Sequence, residues 1–254
     1  MRNSLRYRDL VVYLVARDLK VRYRRSSIGF GWTMLQPLLM MLVLTLVFST
    51  IFRFEVENYA VYALSGILFW NFFSQSIVTA MNSLRTNATL LTKLPVPKFV
   101  FPLSTVLAGL VNLVFAMVPL FAILLVTGHP LRPSLLFLPV AILIATTFTL
   151  GAGLLLAPLA AFFSDIVELV MVLLTLAMYM TPVFYPIEII PDHLRWVVRF
   201  NPLRSVLEVF RDPIYLGKVP PLSHLAVAIG VTLVVLAIGI VSFRRSSDRI
   251  AFYV

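Results

Sequence analysis

The side chains in this sequence best suited to chemistry are guanidinium groups. Arg17, Lys20, Arg22, Arg24 and Arg25 crowd into one short run, ARDLKVRYRR, that leads straight into a long apolar segment. A basic run at the edge of a membrane attracts anionic lipid headgroups. The usual ingredients of catalysis are missing. The chain has 0 Cys, which excludes disulfides, thiolate nucleophiles and Cys-ligated metal. Asp165 and Glu168 form an acid pair, but their place at the start of an apolar run makes them helix-start residues before a general acid and base. No Gly-x-x-x-x-Gly-Lys-Ser/Thr phosphate loop occurs, so ATP would not be bound here in that way. The expectation is no catalytic residue, no metal site and no cofactor bound directly.

The elements that must position those arginines are membrane helices. Of 254 residues, 60% are apolar and 13% charged, and the mean hydropathy is +0.97; a soluble domain is about half apolar and a quarter charged. The class is all-α integral membrane. Six runs approach the roughly 20 residues that cross a bilayer, at about 33–53, 60–81, 100–127, 134–163, 167–186 and 222–243. Six spans put both termini on one side. Most basic residues, including Arg2, Arg6, Arg8, Arg85, Lys98, Arg244, Arg245 and Arg249, fall on that same side, which the positive-inside rule makes cytoplasmic. The net charge of +10 then answers to membrane lipids, and no nucleic-acid partner is expected.

Residues 9–25 mix apolar and basic positions as a helix lying in the membrane surface would, or as a plain positive anchor for the first span. Residues 1–30 form this entrance unit and 31–254 the membrane domain. In the second span Phe69 to Gln75 is a cluster of aromatics and amides, suited equally to helix packing and to lining a substrate path. The loop 82–99 predicts a short helix capped by Thr86 or Asn87, with Leu90, Leu91 and Leu94 as an apolar stripe and Pro95 and Pro97 as its stop. With those leucines expected to be exposed and the two prolines after them, it reads as a docking element, the alternative being a surface turn. Between spans five and six, Asp192 should cap a helix through Phe200, and Asn201-Pro202 should start another. That second helix sets Leu203, Val206, Leu207 and Phe210 against Arg204, Glu208 and Arg211, and ends at Pro213. The stretch 186–221 therefore reads as a short re-entrant helical hairpin, a lid over a pathway, or otherwise as an amphipathic outer loop. No Asp, Glu, Lys or Arg falls mid-span, which disfavours an ion-coupled transporter. Energy for transport would come from a separate ATPase docked on the basic entrance and the 82–99 loop.

RDLKVRYRRSSIGFGWTMLQP (17–37), LLTKLPVPKFVFP (90–102), FFSDI (162–166) and TPVFYP with NPL (181–186, 201–203) together resemble, over nearly the whole chain, the permease subunit of ABC-type polysaccharide or polyol-phosphate exporters, the O-antigen, capsule and teichoic-acid group. The resemblance implies a homodimer in a bacterial inner membrane with two cytoplasmic ABC ATPase subunits that use ATP and Mg. It also implies an interfacial N-terminal helix, ATPase coupling through Leu90, Leu91, Lys93 and Leu94, and an outer gate at Pro182, Pro186, Asn201 and Pro202. The cargo would be a glycan on a pyrophosphate lipid. In that setting Arg22, Arg24 and Arg25 would bond the headgroup bidentately, and Trp70, Phe72, Phe73, Tyr179 and Tyr185 would stack on sugar faces in the channel. The family often carries an arginine where this chain has Ser164, so no contact through that arginine is expected. A drug or lipid efflux permease, and a non-transporting scaffold or glycolipid transferase, remain as alternatives.

Overall fold

A computed structural model of the chain describes residues 2–24, 27–51, 56–93 and 96–253. Among these the regular structure is helical, without a strand. That follows from the composition: an apolar segment with no water around it must close its backbone hydrogen bonds on itself. Helix α1 (Arg2–Tyr23) is joined through a turn at Gly29–Gly31 to α2 (Trp32–Thr45), whose far end widens into a π-helical turn at Leu46–Ile51. Then come α3 (Tyr59–Thr86), the short α4 (Ala88–Lys93), α5 (Val100–Val126) and α6 (Leu138–Phe162). The chain closes with α7 (Ile166–Met180), α8 (Arg195–Arg199), α9 (Pro202–Tyr215) and α10 (Leu222–Tyr253).

Among the described residues, five stretches are long and apolar enough to cross a bilayer: Gly29–Phe48, Tyr59–Thr86, Val100–Val126, Pro133–Phe162 and Leu222–Ser247. The expected fifth run, 167–186, is shorter than its hydropathy suggests. Its helix ends at Met180 because Thr181 precedes Pro182, whose ring disfavours helical backbone before it; Thr181 is extended, at φ −104° and ψ 134°. With 15 residues, α7 spans about 22 Å, against a hydrocarbon layer of about 30 Å.

The hub is α3. Every residue from Val61 to Trp70 is buried, with α2, α5, α6, α7 and α9 packed around it. Helix α10 packs chiefly on α6 through glycines, a Cβ on Gly239 standing 2.1 Å from the Gly151 carbonyl oxygen. At one end of the bundle Leu14 of α1, Leu84, Leu91, Phe101, Phe243 and Ile250 form a separate small core, and the Lys98 ammonium bonds the Ser247 carbonyl. The N-terminal helix and the end of α10 therefore meet at the same end.

Two local expectations are corrected. Asp192 does not cap a helix to Phe200; it pairs with Arg195 at 2.5 Å across a 3₁₀ turn, and α8 is a single short turn beyond it. Nor does Pro213 end α9, which runs on to Tyr215: in a last turn the missing N–H removes one hydrogen bond without breaking the helix.

Candidate functional site

Among the described residues, cavities border the hub helix in three places, and each gathers residues the sequence singled out. The first, about 350 Å³, lies between α2, α3 and α5. Its walls carry neutral polar side chains, Thr33, Gln36, Asn71, Gln75, Ser76, Thr79 and Asn112, together with Trp32 and Phe72. The second, about 420 Å³, lies between α3 and α7 and is walled by Trp70, Ser74, Met171, Thr175 and Met178. Arg22 lines both, its Nη1 reaching 3.5 Å toward Oε1 of Gln75. One of the three guanidinium groups predicted to hold a headgroup is thus placed at a double mouth. Arg24 is exposed just past the end of α1, and Arg25 lies outside the described residues.

The aromatics divide. Trp70 borders the α7 cavity and Phe72 the amide cavity. Phe73 does not share their setting: its ring is packed against Phe69, Trp70 and Phe148 at centroid distances of 6.4, 5.8 and 5.7 Å, a core residue on the inward face of α3. Tyr179 is exposed on α7, and the Tyr185 hydroxyl donates to its carbonyl at 2.5 Å.

The third cavity, about 700 Å³, sits at the opposite end of the bundle from α1, under the non-helical segment after α7. Four successive carbonyls of that segment would be orphans without side-chain donors, and each has one. Arg211 donates to Pro182 and Val183, both at 2.7 Å; Tyr59 donates to Phe184 at 2.7 Å and Tyr62 to Tyr185 at 2.8 Å. The Arg211 guanidinium also lies 4.0 Å from the centre of the Tyr62 ring, a cation–π distance. Arg211 was expected on the polar face of α9 but is 5% exposed. It follows Leu207 by four residues, which puts it on the same side of the helix as that buried leucine. Asn201 caps α9 as expected, accepting from the Leu203 N–H at 2.9 Å, and its amide donates to the Thr181 hydroxyl at 2.9 Å. Pro202 occupies the first turn of α9. Pro182 is buried and Pro186 half-buried at the cavity wall. A second set of bonds pins the far end of α9. His129 Nε2 donates to the Tyr215 carbonyl at 3.0 Å, leaving Nδ1 to accept from the Asn58 amide at 3.2 Å.

Glu57, Glu188, Glu208 and Asp212 line this third cavity with Arg211. Burial first, then the charge of Glu208, pushes the Asp212 carboxyl up from 3.8 to about 6, against the opposing pull of His224 and Arg211. A carboxyl raised on folding stabilises the fold below its unfolded value, and that stabilisation is lost as pH rises from 3.8 to about 6. The melting temperature of the purified protein should therefore be lower at pH 7.5 than at pH 4.5 through this group, and Asp212→Asn should flatten the difference. An undiminished pH dependence in that variant would assign it elsewhere.

At the other end, the leucine stripe of α4 faces the protein. Leu91 is buried against Leu84 and Phe101, and Leu90 is half-buried beside them; this corrects the expectation that these leucines are exposed. Thr89 and Thr92 face outward. The backbone of Lys93 ends α4, and Leu94 lies outside the described residues. Asn87 does not cap α4 with its side chain. It turns back, its amide donating to the Ser83 carbonyl at 2.7 Å while Oδ1 accepts from Arg17 at 2.8 Å. Arg17, itself paired with Asp18 at 2.8 Å, thereby ties α1 to α4.

A family model described as ABC-2 type transporter matches residues 9–215. The chain is 34% identical over 250 residues to an O-antigen export system permease protein of Myxococcus xanthus, covering 96% of each. A protein of the same description from Klebsiella pneumoniae is 28% identical over 246 residues, 96% of this chain and 94% of that one. The polysialic acid transport protein of Escherichia coli is 24% identical over 245 residues, 92% of each.

Proposed function

Because the chain belongs to the ABC-2 type transporter family, we propose that it is the transmembrane permease of a polysaccharide ABC exporter. The observation that carries this is the end-to-end match, at 34% identity over 96% of both chains, to a protein named for O-antigen export. The geometry supports it: a bundle of apolar helices whose hub borders polar and aromatic cavities at two depths can pass an uncharged, hydroxyl-rich chain without tight binding.

In this reading the cargo is a glycan on a pyrophosphate lipid, Arg22 meets its headgroup, and Trp70, Phe72 and Tyr179 offer faces for sugars. Two permeases associate along exposed apolar helices, α2 above all, and two ABC ATPases bind below, where ATP and Mg are used. Both termini are cytoplasmic in the inner membrane. Helix α7 with the segment after it makes the sixth crossing, and α8 and α9 dip back from the outer side as the gate, held by Asn201 and Pro182.

The decisive experiment is a pull-down of the tagged permease from native membranes in mild detergent. An ABC ATPase should be recovered in equal amount. It should be lost from Thr89→Glu/Thr92→Glu, a change confined to outward positions of α4, while the permease keeps its oligomeric state. Recovery of an intact permease without any ATPase would overturn the exporter reading.

A further inference from the structure

The cavity between α2, α3 and α5 has a chemistry distinct from the other two. Among the described residues, Arg22 at its mouth is the one charged residue that lines it; the polar side chains of the rest are chiefly amides and hydroxyls. An amide offers two donors and an acceptor, and a hydroxyl gives and takes one bond each. That combination matches a ring of hydroxyls, each of which also gives and takes. A phosphate would ask for donors alone, and an acyl chain for neither.

Gln75 accepts from Arg22, and the Thr33 and Thr79 hydroxyls donate to backbone carbonyls. Among the described residues, no side-chain hydrogen bond engages the amides of Gln36 or Asn71. Ser76 is 1% exposed, and its hydroxyl has no hydrogen-bond partner among the described residues. That hydroxyl points to Gly109, where a Cβ would stand 2.1 Å from it. That hydroxyl is sealed against Gly109 and closed to a ligand; the unengaged amides of Gln36 and Asn71 are the bonding positions that a cavity of ligand size offers here. Trp32 and Phe72 supply flat apolar surface on either side.

We propose that this cavity, inside a single subunit, receives the first sugar of the lipid-linked glycan, with the diphosphate held at its mouth by Arg22. The inference rests on the exporter reading and adds to it the place where the glycan first leaves water. Gln36 and Asn71 bond the ring hydroxyls, and Phe72 carries its apolar face.

The chain's 0 Cys makes it a ready background for the test. Thr33→Cys near the mouth and Ala116→Cys at depth, each in the complete transporter with its ATPase in proteoliposomes, are treated with a water-soluble maleimide. The probes are a short-chain polyprenyl diphosphate carrying one hexose, and the same diphosphate without sugar. The glycosylated probe should slow labelling at both positions by about fivefold at four times its dissociation constant, and the bare diphosphate should leave Ala116→Cys unprotected. Equal protection by both, or by neither, overturns the assignment. The half-maximal concentration for ATPase stimulation by the glycosylated probe should rise about tenfold in Asn71→Leu, one polar contact's worth; an unchanged value also counts against the site. Stimulation of the unsubstituted transporter without protection removes the cavity and leaves the exporter reading standing. Loss of both removes the two together.

Discussion

Arg211→Leu should lower the unfolding temperature of the purified permease by roughly 6–12 °C, the equivalent of about 3 kcal/mol for a chain of this size. Two hydrogen bonds from a charged donor disappear, each of about 1.5–3 kcal/mol; the Val183 carbonyl is left buried without a partner, and the Pro182 carbonyl keeps only the Tyr62 hydroxyl at 3.3 Å. The gain from no longer burying a guanidinium offsets part of that loss. Arg211→Lys should fall between, since one ammonium keeps the charge but cannot hold both carbonyls in the planar fork of an arginine. Gly66→Ala attacks the same joint from the α3 side, because its Cβ would stand 2.2 Å from Arg211 Nη2 and 2.5 Å from the Val183 oxygen. Tryptophan fluorescence on heating reads all three. A melting temperature unmoved by Arg211→Leu would mean that the segment after α7 finds other donors.

The second large effect belongs to the seam of α6 and α10. Gly151→Val and Gly239→Val should each prevent recovery of a monodisperse protein. A Cβ on Gly151 would stand 2.7 Å from the backbone of Leu236, and one on Gly239 2.1 Å from the Gly151 oxygen. Backbone offers no rotamer by which to yield, so the helices must separate, with a loss beyond the roughly 1–3 kcal/mol of ordinary overpacking. Gly230→Ala, on the same helix with nothing within 4 Å, is the control and should be neutral or stabilising by up to about 1 kcal/mol. Size-exclusion profiles in detergent compare the three; a normal profile for Gly151→Val would show the seam to be looser than drawn.

The long helices were readable because hydropathy reports transfer from water directly, and Asn201-Pro202 was readable because a cap is a local event within a few residues. Arg211 was not. Its burial depends on carbonyls 28 and 29 positions away, and a helical wheel of α9 alone groups it with Arg204 and Glu208, which do pair with each other at 2.6 Å. The leucines of α4 were recognised as an apolar stripe but assigned outward, since nothing local tells a docking face from a face seated on Leu14 and Phe101. Aromatics 70 to 73 show the same limit. Helical geometry puts Phe73 beside Trp70, three residues on, and Phe72 on the other side, but which side faces a cavity is decided by α2, α5, α6 and α7. The amide cavity draws on three helices, so its residues were visible one by one and their convergence was not.

The shortness of α7 bears on the membrane as much as on the protein. In the proposed six-crossing arrangement, a helix some 8 Å short of the hydrocarbon thickness, with Val172, Leu176 and Tyr179 exposed along it, draws the lipid surfaces toward each other, at a fraction of a kcal/mol per ångström. The bilayer is then pinched on the flank where Trp70 and Met171 border a cavity, so a hydrophilic strand crossing there has less oil to traverse than anywhere else around the bundle. Lipid chain length becomes a control variable: transport in proteoliposomes should fall as acyl chains are lengthened and the pinch grows more costly to hold.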